Sequence, residues 1–128
     1  MVFGVSPIPS ADDVLDPDIE VLSLSEAASR LGLPVTRVQQ ALRDGHLVAV
    51  RRAGELVVPA AFLTSDDPGA IVKGLPGTIT VLLDSGFTRD DIIRWLFTSD
   101  DSLPGTPIEA LRGNRGTEVK RRAQALAF

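Results

Sequence analysis

Between Ser23 and Gly45 the chain has little freedom in what it can become. Ser23-Leu-Ser-Glu26 has the spacing of a capping box: the serine hydroxyl accepts from the backbone N–H three residues on, and the glutamate reaches back to the serine amide. Leu24, Ala27, Ala28 and Leu31 then recur at helical spacing on one face. Gly32 follows, a residue that tolerates the left-handed conformation in which helices commonly end, and Pro34 suits the first turn of a new helix. Val35, Val38, Ala41 and Leu42 form the apolar side of that second helix, and Gly45 stops it. Two short helices separated by so few residues predict a tight helix-turn-helix.

The next residues narrow the fold further. His46 to Arg52 and Glu55 to Pro59 are rich in Val and Leu, and Ala53-Gly54 between them predicts a hairpin turn. A hairpin directly after a helix-turn-helix is a wing. Pro59 closes its second strand, and Ala60 to Leu63 adds a helical turn. Beyond the polar break at 65–69 the pattern is helical. Thr78 to Ser85 forms one segment. Thr88 caps the next, which carries Ile92, Ile93, Leu96 and Phe97 with Trp95 nearby. Thr106-Pro107 opens a short helix, and Thr117 and Glu118 open the last, with Val119, Ala123 and Leu126 aligned and Phe128 just beyond. The expected architecture is mainly α. Residues 1–20 form a flexible acidic N-terminal arm, residues 21–64 a winged helix-turn-helix with a small β-hairpin wing, and residues 65–128 a C-terminal helical domain. Within the arm Pro7, Pro9 and Pro17 exclude helix, and Val14 and Leu15 are the candidates for docking.

Composition removes several classes of function. The 128 residues include no cysteine, which excludes disulfides, thiolate metal sites and cysteine nucleophiles. No apolar run approaches the roughly 20 residues of a membrane span, so no membrane is expected as a partner. The N-terminus lacks the basic and apolar regions of a secretory signal, and the expected setting is the cytoplasm, in association with the nucleoid. A net charge of −4 argues against a polyanionic partner until its distribution is considered. Residues 1–20 carry five acids and no base, residues 21–64 five arginines against three acids, and residues 65–128 eight bases against nine acids. The surplus of positive charge lies on the helix-turn-helix, and local charge decides whether a face can meet phosphates.

The second helix, from Val35 to Asp44, spans about 15 Å, which suits a major groove about 12 Å wide. Its outward positions are Thr36, Arg37, Gln39, Gln40 and Arg43, with no acid before Asp44. Arginine grips guanine O6 and N7, and glutamine does the same to adenine N6 and N7. Thr36 and Arg37 lie at the helix start, where groove contacts are usual in this motif, and Arg43 is better placed for phosphate. Arg51 and Arg52 flank the wing turn, suited to backbone or minor groove. His46 is the one histidine; without companion ligands it reads as strand-edge packing or a phosphate contact, and no metal or cofactor is expected. Arg112, Arg115, Lys120, Arg121 and Arg122 face one acid, Glu118. Lys120, Arg121 and Arg122 either add backbone contacts or neutralise the helix end and the acidic arm. The pairs Asp66-Asp67, Asp90-Asp91 and Asp100-Asp101 sit where aspartate caps helices and solvates loops, no nucleophile or phosphate-loop motif is present, and no catalytic role is expected. Two functions remain. One is a double-stranded DNA binder, a transcriptional regulator or nucleoid-associated factor. The other is a protein–protein interaction module that uses the helix-turn-helix as scaffold and the apolar helix from Ile93 to Phe97 as docking face. No heptad run suggests a coiled-coil dimer, and a monomer is favoured.

The run from Leu24 to Leu47 resembles the excisionase-like and mercury-resistance-regulator-like winged helix-turn-helix class. Residues 12–18, 44–54, 72–77, 93–98 and 119–125 extend the likeness over almost the whole chain. They resemble an actinobacterial DNA-binding family whose mycobacterial member is a substrate of the serine/threonine kinase PknL. The resemblance implies a winged helix-turn-helix, a family-specific helical C-terminal domain, DNA binding and a kinase as partner. The regulated threonine of that group belongs to an N-terminal extension. This chain has no threonine before Thr36, and Ser6 and Ser10 are the hydroxyls of its arm.

Overall fold

The computed structural model describes residues 8–126. Eleven short elements follow one another. Strand β1 (Ala11–Asp12) and strand β2 (Val21–Ser23) precede helices α1 (Leu24–Leu31) and α2 (Val35–Arg43). The wing strands β3 (Val50–Arg52) and β4 (Glu55–Pro59) come next, with a single 3-10 turn at Ala60–Phe62. Helices α3 (Leu75–Asp84), α4 (Arg89–Leu96), α5 (Pro107–Arg112) and α6 (Gly116–Ala125) complete the chain.

The helix-turn-helix follows the local chemistry. Ser23 Oγ accepts from the Glu26 N–H at 3.1 Å and Glu26 Oε1 accepts from the Ser23 N–H at 3.0 Å, so two amides that α1 cannot satisfy internally are both paired. Gly32 ends α1 at φ 67°. Pro34 is the residue before α2, in extended backbone, not its first helical residue. Ala53 and Gly54 both have positive φ, 51° and 82°, the geometry of the two-residue turn that matches the twist of paired strands.

Four details depart from the sequence-based expectation. The first wing strand is three residues long, not seven. Val50 to Arg52 pair with Glu55 to Val57, whereas Leu47, Val48 and Ala49 are completely buried without strand pairing. Their apolar run marks core, and burial on all sides looks like strand in a sequence. The second departure is in the arm, part of which belongs to the sheet. Its β1 runs parallel to β3, with Ala11 opposite Val50; β2, just after the arm, runs antiparallel to β4, giving the order β1-β3-β4-β2. Ala11 and Leu15 are buried and Val14 is half-buried. Third, α3 begins three residues before Thr78, at Leu75, after Gly74 at φ 88°. Pro76 is harmless there, because a first-turn amide has no partner within the helix anyway. Last, Leu126 is exposed instead of completing the apolar side of α6. Phe128 and the first seven residues lie outside the described range.

One continuous core joins the two halves. Leu42, Leu47, Val50 and Phe62 from the first half pack with Leu75, Ile79, Ile93 and Val119 from the second. A smaller cluster of Leu22, Ala27, Ala28, Val38 and Leu63 holds α1 and α2 together. A Cβ on Gly45 would come within 2.9 Å of Leu83 Cδ1, so the end of α2 lies directly on α3. The helix-turn-helix thus shares its core with the C-terminal helices.

Candidate nucleic-acid interface

Burying Val38 and Leu42 fixes which way α2 faces. Thr36, Arg37 and Gln40 are exposed, and Gln39 and Arg43 are half-buried at the edge of the same face. The five form one surface, but they are not equally free. The Gln40 side-chain amide donates to Asp44 Oδ1 at 2.8 Å, which ties up one donor and keeps the one acid of this face engaged. Thr36 and Arg37 make no side-chain hydrogen bond among the described residues. Val35, expected on the apolar side, is 37% exposed, and Leu33 in the turn is 46% exposed. The start of α2 therefore presents two aliphatic side chains beside Thr36 and Arg37. Helical spacing placed Val35 inward. It opens the helix, where no preceding turn covers it.

The two wing arginines have different surroundings. Arg51 is exposed and, among the described residues, its guanidinium reaches only the Gly54 carbonyl, at 3.4 Å. Arg52 points the other way and is occupied by the arm. Its Nε donates to Asp13 Oδ2 at 2.7 Å and its Nη2 to Asp13 Oδ1 at 3.0 Å, the two-pronged geometry in which guanidinium and carboxylate match. Weaker bonds run to the carbonyls of Ile19 and Asp16. The arm is held at a second point, where Asp90 Oδ1 on α4 accepts the Asp12 N–H at 2.9 Å. Arg52 thus works as the clamp of the arm. Alternation along β3 sends these neighbouring side chains to opposite faces, so the two arginines of the wing tip have different partners.

The clamp has a measurable signature. Hydrogen bonding from Arg52 holds the Asp13 carboxyl below its ordinary value. A carboxylate whose value falls on folding contributes stability that is fully present above its unfolded value, about 3.9, and is lost as pH falls through the folded one. In an NMR titration Asp13 is expected to protonate below the ordinary aspartate range, with the arm detaching in the same pH window. Arg52→Ala is expected to return Asp13 to the ordinary range. An Asp13 that titrates identically in both proteins would remove the clamp.

The remaining candidates are dispersed. His46 is exposed just past α2, and its N–H donates to the Ala41 carbonyl at 2.9 Å. On α6 the basic run is divided. Lys120 lines one cavity with Gly116 and Thr117, whereas Arg121 and Arg122 line another with Glu118 and Ser102. Glu118 also accepts from Arg115 at 3.2 Å. One member of each of two aspartate pairs is used locally. Asp91 completes the capping box of Thr88, and Asp100 Oδ1 accepts the Ser102 N–H at 2.9 Å. The Thr88 bonds hold the Asp91 carboxyl below its ordinary value, and the hydrogen bond from the Ser102 hydroxyl, at 2.5 Å, together with that N–H does the same for Asp100.

Two known family descriptions match the chain. Residues 7–63 match "DNA-binding protein Rv2175c, wHTH domain" and residues 72–127 match "Rv2175c C-terminal domain of unknown function". The DNA-binding protein Rv2175c of Mycobacterium tuberculosis (strain ATCC 25618 / H37Rv) is 48% identical to this chain over 136 residues, covering 97% of this chain and 92% of the relative. This chain belongs to the Rv2175c family. The solved structure described as "NMR structure of Rv2175c" superposes with a TM-score of 0.84 at 47% identity, over 97% of this chain and 92% of that one. The Rv2175c likeness therefore extends through both the winged helix-turn-helix and the C-terminal helices, in sequence and in fold.

Proposed function

We propose that this chain binds double-stranded DNA, with the start of α2 in the major groove and the wing on the backbone or in the minor groove. The observation that carries this reading is the face formed by Thr36, Arg37 and Gln40. It is exposed, and its one acid is tied to Gln40. The family's description as DNA-binding supports the same assignment. Arg37 is the residue with both the chemistry and the freedom to read a guanine edge. Gln39 and Gln40 contact bases or adjacent phosphates, Val35 and Leu33 supply apolar contact for a thymine methyl, and Arg43, Arg51 and His46 meet the backbone. Arg52 belongs to the arm clamp, and Arg121 and Arg122 are partly neutralised by Glu118 and Asp100.

The role is that of a transcriptional regulator or nucleoid-associated factor in the cytoplasm, acting as a monomer and without a reaction of its own. A serine/threonine kinase as partner rests on the family resemblance, with Ser6 and Ser10 the available hydroxyls of the arm. The alternative of a docking module based on the helix from Ile93 to Phe97 loses its basis. Ile92, Ile93 and Leu96 are completely buried in the chain's own core. Fluorescence anisotropy with a labelled duplex across a salt series tests the DNA reading. Log affinity is expected to fall linearly with log salt concentration, and absence of binding to any duplex at low salt would refute it.

A further inference from the structure

Two adjoining cavities on the C-terminal helices are lined by cations alone among charged residues. The first, of about 310 Å³, lies between the starts of α3 and α6 and is lined by Lys73, Gly74, Gly77, Gly116, Thr117 and Lys120. The second shares Lys73 and continues to Arg112. Among the described residues no carboxylate lines either one, in a chain with 17 acids against 13 bases. Arg112 is fixed in place by the carbonyls of Ala61 and Leu63, at 2.9 and 2.6 Å, so its charge is held at the cavity wall.

The backbone adds to the same field. Helices α3 and α6, each of 10 residues, both start at this cavity, and neither has a side-chain cap. At α6 this leaves the first N–H groups, from Gly116, without a side-chain cap, whereas at α3 the Leu75 N–H donates to the Val72 carbonyl and Pro76 has none, so Gly77 is its open amide; the positive ends of both helix dipoles face whatever enters. Glycine makes the convergence geometrically available: a Cβ on Gly74 would lie 3.5 Å from Gly116 Cα and 3.1 Å from Leu111 Cδ2. Lysines and free amides around an open groove match oxyanions spaced along a chain. Lys120 lines the first cavity, Lys73 both and Arg112 the second, a succession of cations that matches the repeated charge of a phosphodiester backbone.

The groove is separate from the wing. β4 leads from the wing turn at Glu55 to Pro59, about 13 Å at 3.3 Å per residue, and Arg112 is held just past that far end. We infer that Lys73, Lys120 and Arg112 form a second phosphate-backbone site for duplex DNA, on the C-terminal helices and distinct from the α2 and wing face. This rests on the proposed DNA binding and gives the C-terminal half a binding role of its own.

The test uses the full chain, labelled with ¹⁵N and titrated with a short duplex. Amide shifts of Arg37 and Arg51 report the first face, and those of Gly77, Gly116 and Thr117 report the groove. Both sets are expected to move saturably. In Lys73→Gln with Lys120→Gln the groove shifts disappear, the first set persists, and the salt slope of binding falls by about 2. A duplex that moves the α2 and wing amides while leaving the groove amides unmoved would overturn the second site. So would an unchanged salt slope in the double variant. Inorganic phosphate is titrated in parallel: a groove that responds to the free ion and not to the duplex binds phosphate from another source, and the assignment to DNA falls. A duplex that moves neither set refutes the DNA reading itself.

Discussion

Phe62→Ala is expected to cost about 3–5 kcal/mol of folding stability, the usual range for truncating a fully buried aromatic side chain. Phe62 is completely buried and its ring centroid lies 5.8 Å from that of Phe97, at a tilt of 31°. It comes just after the wing and packs into the core shared with the C-terminal helices, so the cavity opens at the seam between the two halves. Domains of this size hold about 5–15 kcal/mol in total, so one such loss removes a large part of the whole. The expected result is one cooperative transition moved to lower denaturant concentration, seen alike by far-UV circular dichroism and by Trp95 fluorescence. Trp95 lies on α4 and reports the C-terminal helices alone, whereas the circular dichroism signal adds α1 and α2 of the other half to them. Two separated transitions would mean that the halves fold independently and that the shared core contributes little.

The shared core explains what could and could not be read from the sequence. Local signals were strong where the backbone solves its own problem. The capping boxes at Ser23, Thr88 and Thr106, the glycine at position 32 and the Ala53-Gly54 turn all act within four residues, and their chemistry is written in order. Pairings between distant segments left no such trace. Ala11 opposite Val50 and Val21 opposite Pro59 are contacts of short strands whose partners lie tens of residues away. The arm looked too acidic and too rich in proline to pack, yet its few apolar residues are placed to meet the sheet edge. For the candidate interface, periodicity identified the α2 face, since burial of Val38 and Leu42 determines it. Which of its polar groups are free was not legible. Whether Gln40 is tied to Asp44, or Arg52 to Asp13, depends on rotamers and on chain reversal.

Those two contacts set the expectation for binding. Arg37→Ala should weaken binding to a preferred duplex by about 1–3 kcal/mol, roughly 5- to 150-fold, and relax discrimination at one base position. Arg51→Ala should weaken binding to all sequences alike and lower the salt slope by about 1, because a phosphate contact carries no base information. Combined, the two act at separate points on the duplex, and their effects are expected to add. Arg52→Ala is the internal control. A wing with two equivalent guanidiniums predicts the same slope change for either arginine. A wing in which Asp13 already neutralises Arg52 predicts that its removal leaves the slope unchanged while releasing the arm. Anisotropy measured over a salt series with the three single variants separates the cases. Equal slope losses for Arg51→Ala and Arg52→Ala would show that DNA displaces Asp13 from the wing. A slope loss confined to Arg51→Ala, with Arg37→Ala losing affinity and discrimination, would place the wing's phosphate contact on the guanidinium that the arm leaves open.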